Sequence, residues 1–110
     1  MTGNLFAATP AGKPGGEIFT ELLARRGLRI ERIESAGQAS PPGYWYDQPG
    51  GEWLAVLAGA ALLRFADEQT ARRLGPGDWL DIAPHRRHRV EWTDPAQPTL
   101  WLAVHYDAAG

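Results

Sequence analysis

From Tyr44 onward the chain is a succession of short apolar segments, each closed by a turn signal. They are Tyr44–Gln48 (YWYDQ), Glu52–Gly59 (EWLAVLAG), Ala60–Ala66 (AALLRFA), Thr70–Leu74 (TARRL), Asp78–Ala83 (DWLDIA), His88–Trp92 (HRVEW) and Thr99–Tyr106 (TLWLAVHY). Pro49-Gly50-Gly51, Gly75-Pro76-Gly77-Asp78 and Asp94-Pro95 supply residues that preset a bend or accept positive φ. Segments of this length, with turns at roughly eight- to twelve-residue spacing, fit antiparallel strands of a sandwich or barrel. The expected fold is all-β, a jelly roll.

Upstream the pattern differs. Residues 1–16 are rich in Gly, Pro and Ala, so a flexible N-terminal arm is expected there, followed by one domain over 17–110. Within Glu17–Arg26, Ile18, Leu22 and Leu23 fall on one face of a short helix, which Gly27 stops. Leu28–Ser35 then alternates as a strand, with Ile33 out of step and an irregularity expected there.

Period two also orients the strands. Glu52, Leu54 and Val56 share one face of their segment, and Trp53, Ala55 and Leu57 the other. In Thr99–Tyr106 the sets are Leu100, Leu102, Val104 and Trp101, Ala103. Strands apolar on both faces need cover on both, which the N-terminal helix or a second copy of the chain would provide.

Composition narrows the function classes. With 110 residues, a net charge of −2 and eleven basic residues, clustered only as Arg86, Arg87 and Arg89 around His88, there is no broad footprint for nucleic acid. Without cysteine there is no disulfide, thiolate metal site or cysteine nucleophile. Neither a leader-like pattern nor a run of eighteen apolar residues occurs, so a cytoplasmic protein that does not enter membranes is expected. The KPGGE and QPGGE segments lack the lysine, spacing or following helix of phosphate-loop and dinucleotide motifs.

Two segments carry a family pattern. Gly43–Gly59 has Glu52 and Gly59 separated by six residues, with Gly43 upstream, and Gly77–His88 places Gly77 and His88 at the ends of a second motif. Both resemble the two motifs of the cupin superfamily. Together with RIERIES, SPPGYWYDQ and TLWLAVHY they resemble small single-domain bacterial cupins. The resemblance covers Gly43 to Tyr106 and implies a double-stranded β-helix, usually a homodimer.

It also implies a site inside the barrel. The first motif places two histidines before its glutamate, at Tyr46 and Gln48 or, with a longer spacer, at Trp45 and Asp47; none of these is histidine. In the second motif Ala83, Pro84 and His85 stand where Pro-x-Gly is usual. Of the family's ligand positions, Glu52 and His88 are retained, and Asp47 adds a carboxylate under the longer spacer. The set Glu52, His88 and Asp47, completed by water, would suit a divalent metal such as Mn, Fe, Ni or Zn, with oxygen-rich ligation disfavouring copper. Tyr46 and Gln48 are the pocket candidates under the shorter spacer.

Each residue also has a structural reading. His88 suits a hydrogen-bonded strand start, Glu52 a turn cap or arginine partner, and Asp47 a turn that bonds its own backbone. His85 reads as a loop residue and His105 as a core or interface histidine. Arg86, Arg87 and Arg89 read as a solvated rim or as a hold for a carboxylate or phosphate. Three functions compete: a metal-dependent protein acting on a small polar molecule, a metal-free small-ligand-binding or sensing module, and an assembly role.

Overall fold

The computed structural model describes residues 2–8 and 16–108. Among them are eight strands and no helix: β1 (Ile18–Arg25), β2 (Leu28–Ser35), β3 (Gly51–Ala58), β4 (Ala61–Phe65), β5 (Arg72–Leu74), β6 (Trp79–Ile82), β7 (His88–Thr93) and β8 (Thr99–Tyr106). They form a five-stranded sheet, β1-β2-β8-β3-β6, and a three-stranded sheet, β5-β4-β7, with antiparallel pairing throughout.

The expected N-terminal helix is instead strand β1. It pairs with β2 across Arg26-Gly27, and Gly27 at φ 73° makes the hairpin turn rather than ending a helix. A register shift between Glu21 and Leu23 absorbs the spacing that reads as helical in sequence. The irregularity expected in β2 therefore sits in β1, while the β2–β8 register runs unbroken from Leu28↔Tyr106 to Ser35↔Thr99. Tyr44–Gln48 is not a strand; it contributes a single bridge, Tyr46↔His88.

The two sheets close on a core of Leu54, Val56, Ala61, Leu63, Phe65, Leu74, Leu80, Ile82, Trp101 and Ala103. Alternation in β3 and β8 explains the membership: Leu54 and Val56 oppose Ala103 and Trp101 on the inner face. Fully buried Phe65 contributes about 2–3 kcal/mol of apolar burial. Trp101 is fixed by its indole N–H, which donates to Ser35 Oγ (3.1 Å), and Ser35 Oγ donates to Glu17 Oε2 (2.6 Å).

On the outer face of the larger sheet, Arg32 is 5% exposed. Its Nη1 donates to the carbonyls of Leu5 (2.8 Å) and Ala7 (2.7 Å), which fastens the first described segment across that face. The arm expected over residues 1–16 otherwise lies largely outside the described residues. Among the described residues no helix is long and apolar enough to cross a membrane.

Candidate functional site in the barrel

Between the sheets lies a cavity of about 190 Å³. Glu17, Phe19, Glu31 and Ile33 line it from β1, β2 and the residue preceding them, and Tyr46 and Gln48 from the segment before β3. Glu52 and Leu54 of β3, Leu63 of β4, His88 and Val90 of β7, and Trp101 and His105 of β8 complete it. One wall is thus apolar and the other bears carboxylates, imidazoles, a phenol and an amide. Among the described residues no arginine or lysine lines it.

Glu52 and His88 come together as the motifs imply. They are 7% and 6% exposed, and Glu52 Oε1 stands 3.9 Å from His88 Nε2. His88 Nδ1 lies 2.9 Å from the Arg86 carbonyl. A carbonyl only accepts, so Nδ1 carries the proton and Nε2 is the nitrogen turned toward Glu52. Burial raises the Glu52 carboxyl above the ordinary carboxylate range, while the nearby His105 and His88 pull it the other way. No hydrogen bond joins that carboxyl to the described residues.

The segment before β3 resolves by parity. Backbone hydrogen bonds Tyr46 N to His88 O (2.8 Å) and His88 N to Tyr46 O (3.1 Å) clamp it to β7, and the Tyr46 ring stacks on the His88 imidazole with centroids 5.8 Å apart. Tyr46 and Gln48 therefore line the cavity. Burial raises the Tyr46 phenol, and the charge of Glu17 raises it further. Asp47 points outward, its carboxylate 2.7 Å from Nδ1 of exposed His85. His85 N also donates to Gln48 O (2.7 Å), and the residue adopts φ 62° at the position where the cupin pattern has glycine.

Three titratable members, Glu17, Glu31 and His105, were missed in the sequence. His105 opposes Glu52 across β3–β8, and its Nε2 lies 2.8 Å from Glu31 Oε1. The available signal for His105 was period two, since it continues the inward set Trp101, Ala103. Glu31 had no local signal, because only its long-range pairing with β8 turns it inward.

The donors do not converge as a metal site. Among the described residues no group of three or more Asp, Glu and His side chains is placed to hold an ion. Asp47 is directed to His85, His105 is committed to Glu31, and the histidine positions of the first motif carry a phenol and an amide. Oxygen and imidazole donors of this kind suit divalent metals, but of the expected set Glu52, His88 and Asp47 this arrangement brings together only Glu52 and His88.

No protein-family model matches the chain. No curated protein matches it. Among solved structures, a protein of Ralstonia eutropha JMP134 provisionally named a mannose-6-phosphate isomerase is 56% identical over 98% of this chain and 99% of that one, with a TM-score of 0.92. A cupin superfamily protein of Desulfitobacterium hafniense DCB-2 is 18% identical, with 90% and 84% of the two chains covered and a TM-score of 0.72. An RmlC-like cupin of Shewanella frigidimarina NCIMB 400 is 19% identical, covering 86% and 78% with a TM-score of 0.70. With its two motifs on β3 and on the turn from β6 into β7, its eight strands in two sheets and these relatives, the chain belongs to the cupin superfamily.

Proposed function

We propose that the barrel binds a compact polar molecule without an anionic group directly, through side chains rather than through a metal. The observation that supports this most is Glu52: a carboxyl that opens onto the cavity and has no hydrogen-bond partner among the described residues. Such a group is costly unless something satisfies it, and a ligand hydroxyl or amine does so. His88 Nε2 stands beside it as a second polar contact, and Phe19, Leu63, Val90 and Trp101 supply the apolar surface that a small-molecule site needs. The cavity, at about 190 Å³, falls below the roughly 300–1,000 Å³ of drug-sized sites, so the occupant is small. Glu17, Glu31 and Glu52 disfavour an anionic group inside.

Chelator-treated protein, screened against small polyols, amines and sugars by thermal shift, tests this reading. A ligand that raises the melting temperature of wild type but not of Glu52→Ala supports it. Near-stoichiometric metal in protein purified without a metal-binding tag, lost in both Glu52→Ala and His88→Ala, would overturn it in favour of the metal-dependent reading.

A second reading is proton-transfer catalysis. It is favoured by the 3.9 Å Glu52–His88 pair and by the name of the Ralstonia eutropha relative. An isomerase moves protons between neighbouring carbons, which a poised carboxyl and imidazole perform. Conversion of mannose 6-phosphate to its ketose isomer, abolished in Glu52→Gln, is the test.

The apolar outer face of the larger sheet, with Leu102, Val104, Trp53 and 62%-exposed Trp79, favours a homodimer.

A further inference from the structure

The outer face of the three-stranded sheet gathers positive charge that the chain does not neutralise. Arg64 on β4 stands directly opposite Arg89 on β7, a cross-strand pairing in which like charges repel. Trp45, from the segment before β3, lies among three such groups. The guanidinium carbons of Arg64, Arg87 and Arg89 are 5.7, 5.9 and 5.8 Å from its ring centroid. An indole face attracts each cation, but that attraction leaves their mutual repulsion in place.

Compensation is small. Glu91 lies 3.6 Å from Arg64. Exposed Arg87 has no ion pair among the described residues. Arg89 donates only to the carbonyls of Ser40 (3.3 Å), Pro41 (3.2 Å) and Tyr44 (3.4 Å). Its Nε is buried with no hydrogen-bond partner, among the described residues the one buried side-chain polar atom in that state. That atom is closed to solvent, but the outward guanidinium of Arg89 meets only neutral carbonyls and Arg87 meets no carboxylate among the described residues, so the charge of both is left for an anion from outside the chain.

We propose that Arg64, Arg87 and Arg89 around Trp45 form a binding site for an oxyanion, a phosphate or carboxylate group of a small, multiply charged molecule. The planar guanidinium fork pairs two N–H groups with two such oxygens, which fits either source. The site is separate from the barrel cavity, because none of the three arginines lines it. The two share backbone: Trp45 neighbours Tyr46, and Arg87 and Arg89 flank His88, so side chains alternate between the outer site and the cavity.

The test is a titration of the full chain with pyrophosphate and with citrate at constant ionic strength, read by the Trp45 indole N–H resonance. A Trp45→Phe spectrum identifies that resonance. We expect a saturable shift that weakens about tenfold or more in Arg87→Gln, with Arg64→Gln as the second variant. Stronger binding of pyrophosphate identifies a phosphate ligand, and stronger binding of citrate a carboxylate one. If neither anion shifts the resonance beyond what chloride does, or if both variants respond as wild type does, the site does not exist.

Discussion

Gly59 and Gly77 are both glycines of the cupin motifs and both have left-handed backbone, at φ 87° and 90°. They differ in the space a side chain would meet. A Cβ at Gly77 has nothing within 4 Å, whereas one at Gly59 would sit 2.6 Å from Thr99 Cα and 2.7 Å from Pro98 O. Those are backbone atoms of the β8 entry and cannot rotate away. Thr99 is itself fully buried and tied to Ala60 through its hydroxyl, which donates to Ala60 O at 3.1 Å. Gly77→Ala therefore carries the left-handed cost alone, about 1 kcal/mol. Gly59→Ala adds an overlap that a well-packed interior relieves only by shifting backbone, about 1–3 kcal/mol more. At about 4–8 °C per kcal/mol for a domain near this size, the first variant melts about 4–8 °C below wild type and the second about 8–32 °C below. Thermal unfolding by circular dichroism measures both. Equal melting temperatures would refute the claim that close approach, rather than backbone conformation alone, demands glycine at the end of the first motif.

Glu52→Gln tests the buried carboxyl. Burial raises its folded-state pKa above the ordinary 4.5, so its stabilisation is present below that value and is lost as pH rises through the folded-state value. The glutamine variant loses this dependence and, in melts between pH 4 and 8, exceeds wild type at the upper end; a lower melting temperature there would contradict the account. If this chain pairs through the outer face of the larger sheet as proposed, wild type has the mass of a dimer in light scattering at micromolar concentration and Leu102→Glu, on the outer face of β8, that of a monomer; equal masses for the two would remove this face from the interface. His85→Gly relieves a left-handed φ of 62° worth about 1 kcal/mol but gives up the exposed Asp47 contact, worth about 0.2–1 kcal/mol. In urea melts the substitution is near neutral in wild type and stabilising in an Asp47→Ala background; a loss of stability in both would show that His85 does more than occupy a glycine position.

From Glu52 to Tyr106 the strands were legible because each ends in residues with local turn chemistry, and Glu52 and His88 were legible because motif spacing fixes their register. The N-terminal hairpin was not. Ile18, Leu22 and Leu23 repeat at helical spacing only because a bulge sits between Glu21 and Leu23, and a bulge leaves no mark in periodicity. Glu31 reads as the solvent face of β2 in isolation. It lines the cavity because β2 pairs with β8, which brings Glu31 to His105, 74 residues away. Asp47 and Gln48 could not be separated in sequence, since one residue of register exchanges the inner and outer sets.

That register is fixed by two backbone hydrogen bonds between Tyr46 and His88. They do more than place Tyr46 in the cavity. Because neighbours alternate, the same bonds that turn Tyr46 and His88 inward turn Trp45, Arg87 and Arg89 outward together, and the cation cluster follows from the geometry of the pocket. Where the family pattern has histidines inside, this chain has a phenol stacked on the retained imidazole, and on the reverse side an indole under three guanidinium groups. The two proposed sites thus lie on opposite faces of one short bridge. Displacing that bridge by a single residue would dismantle both sites at once.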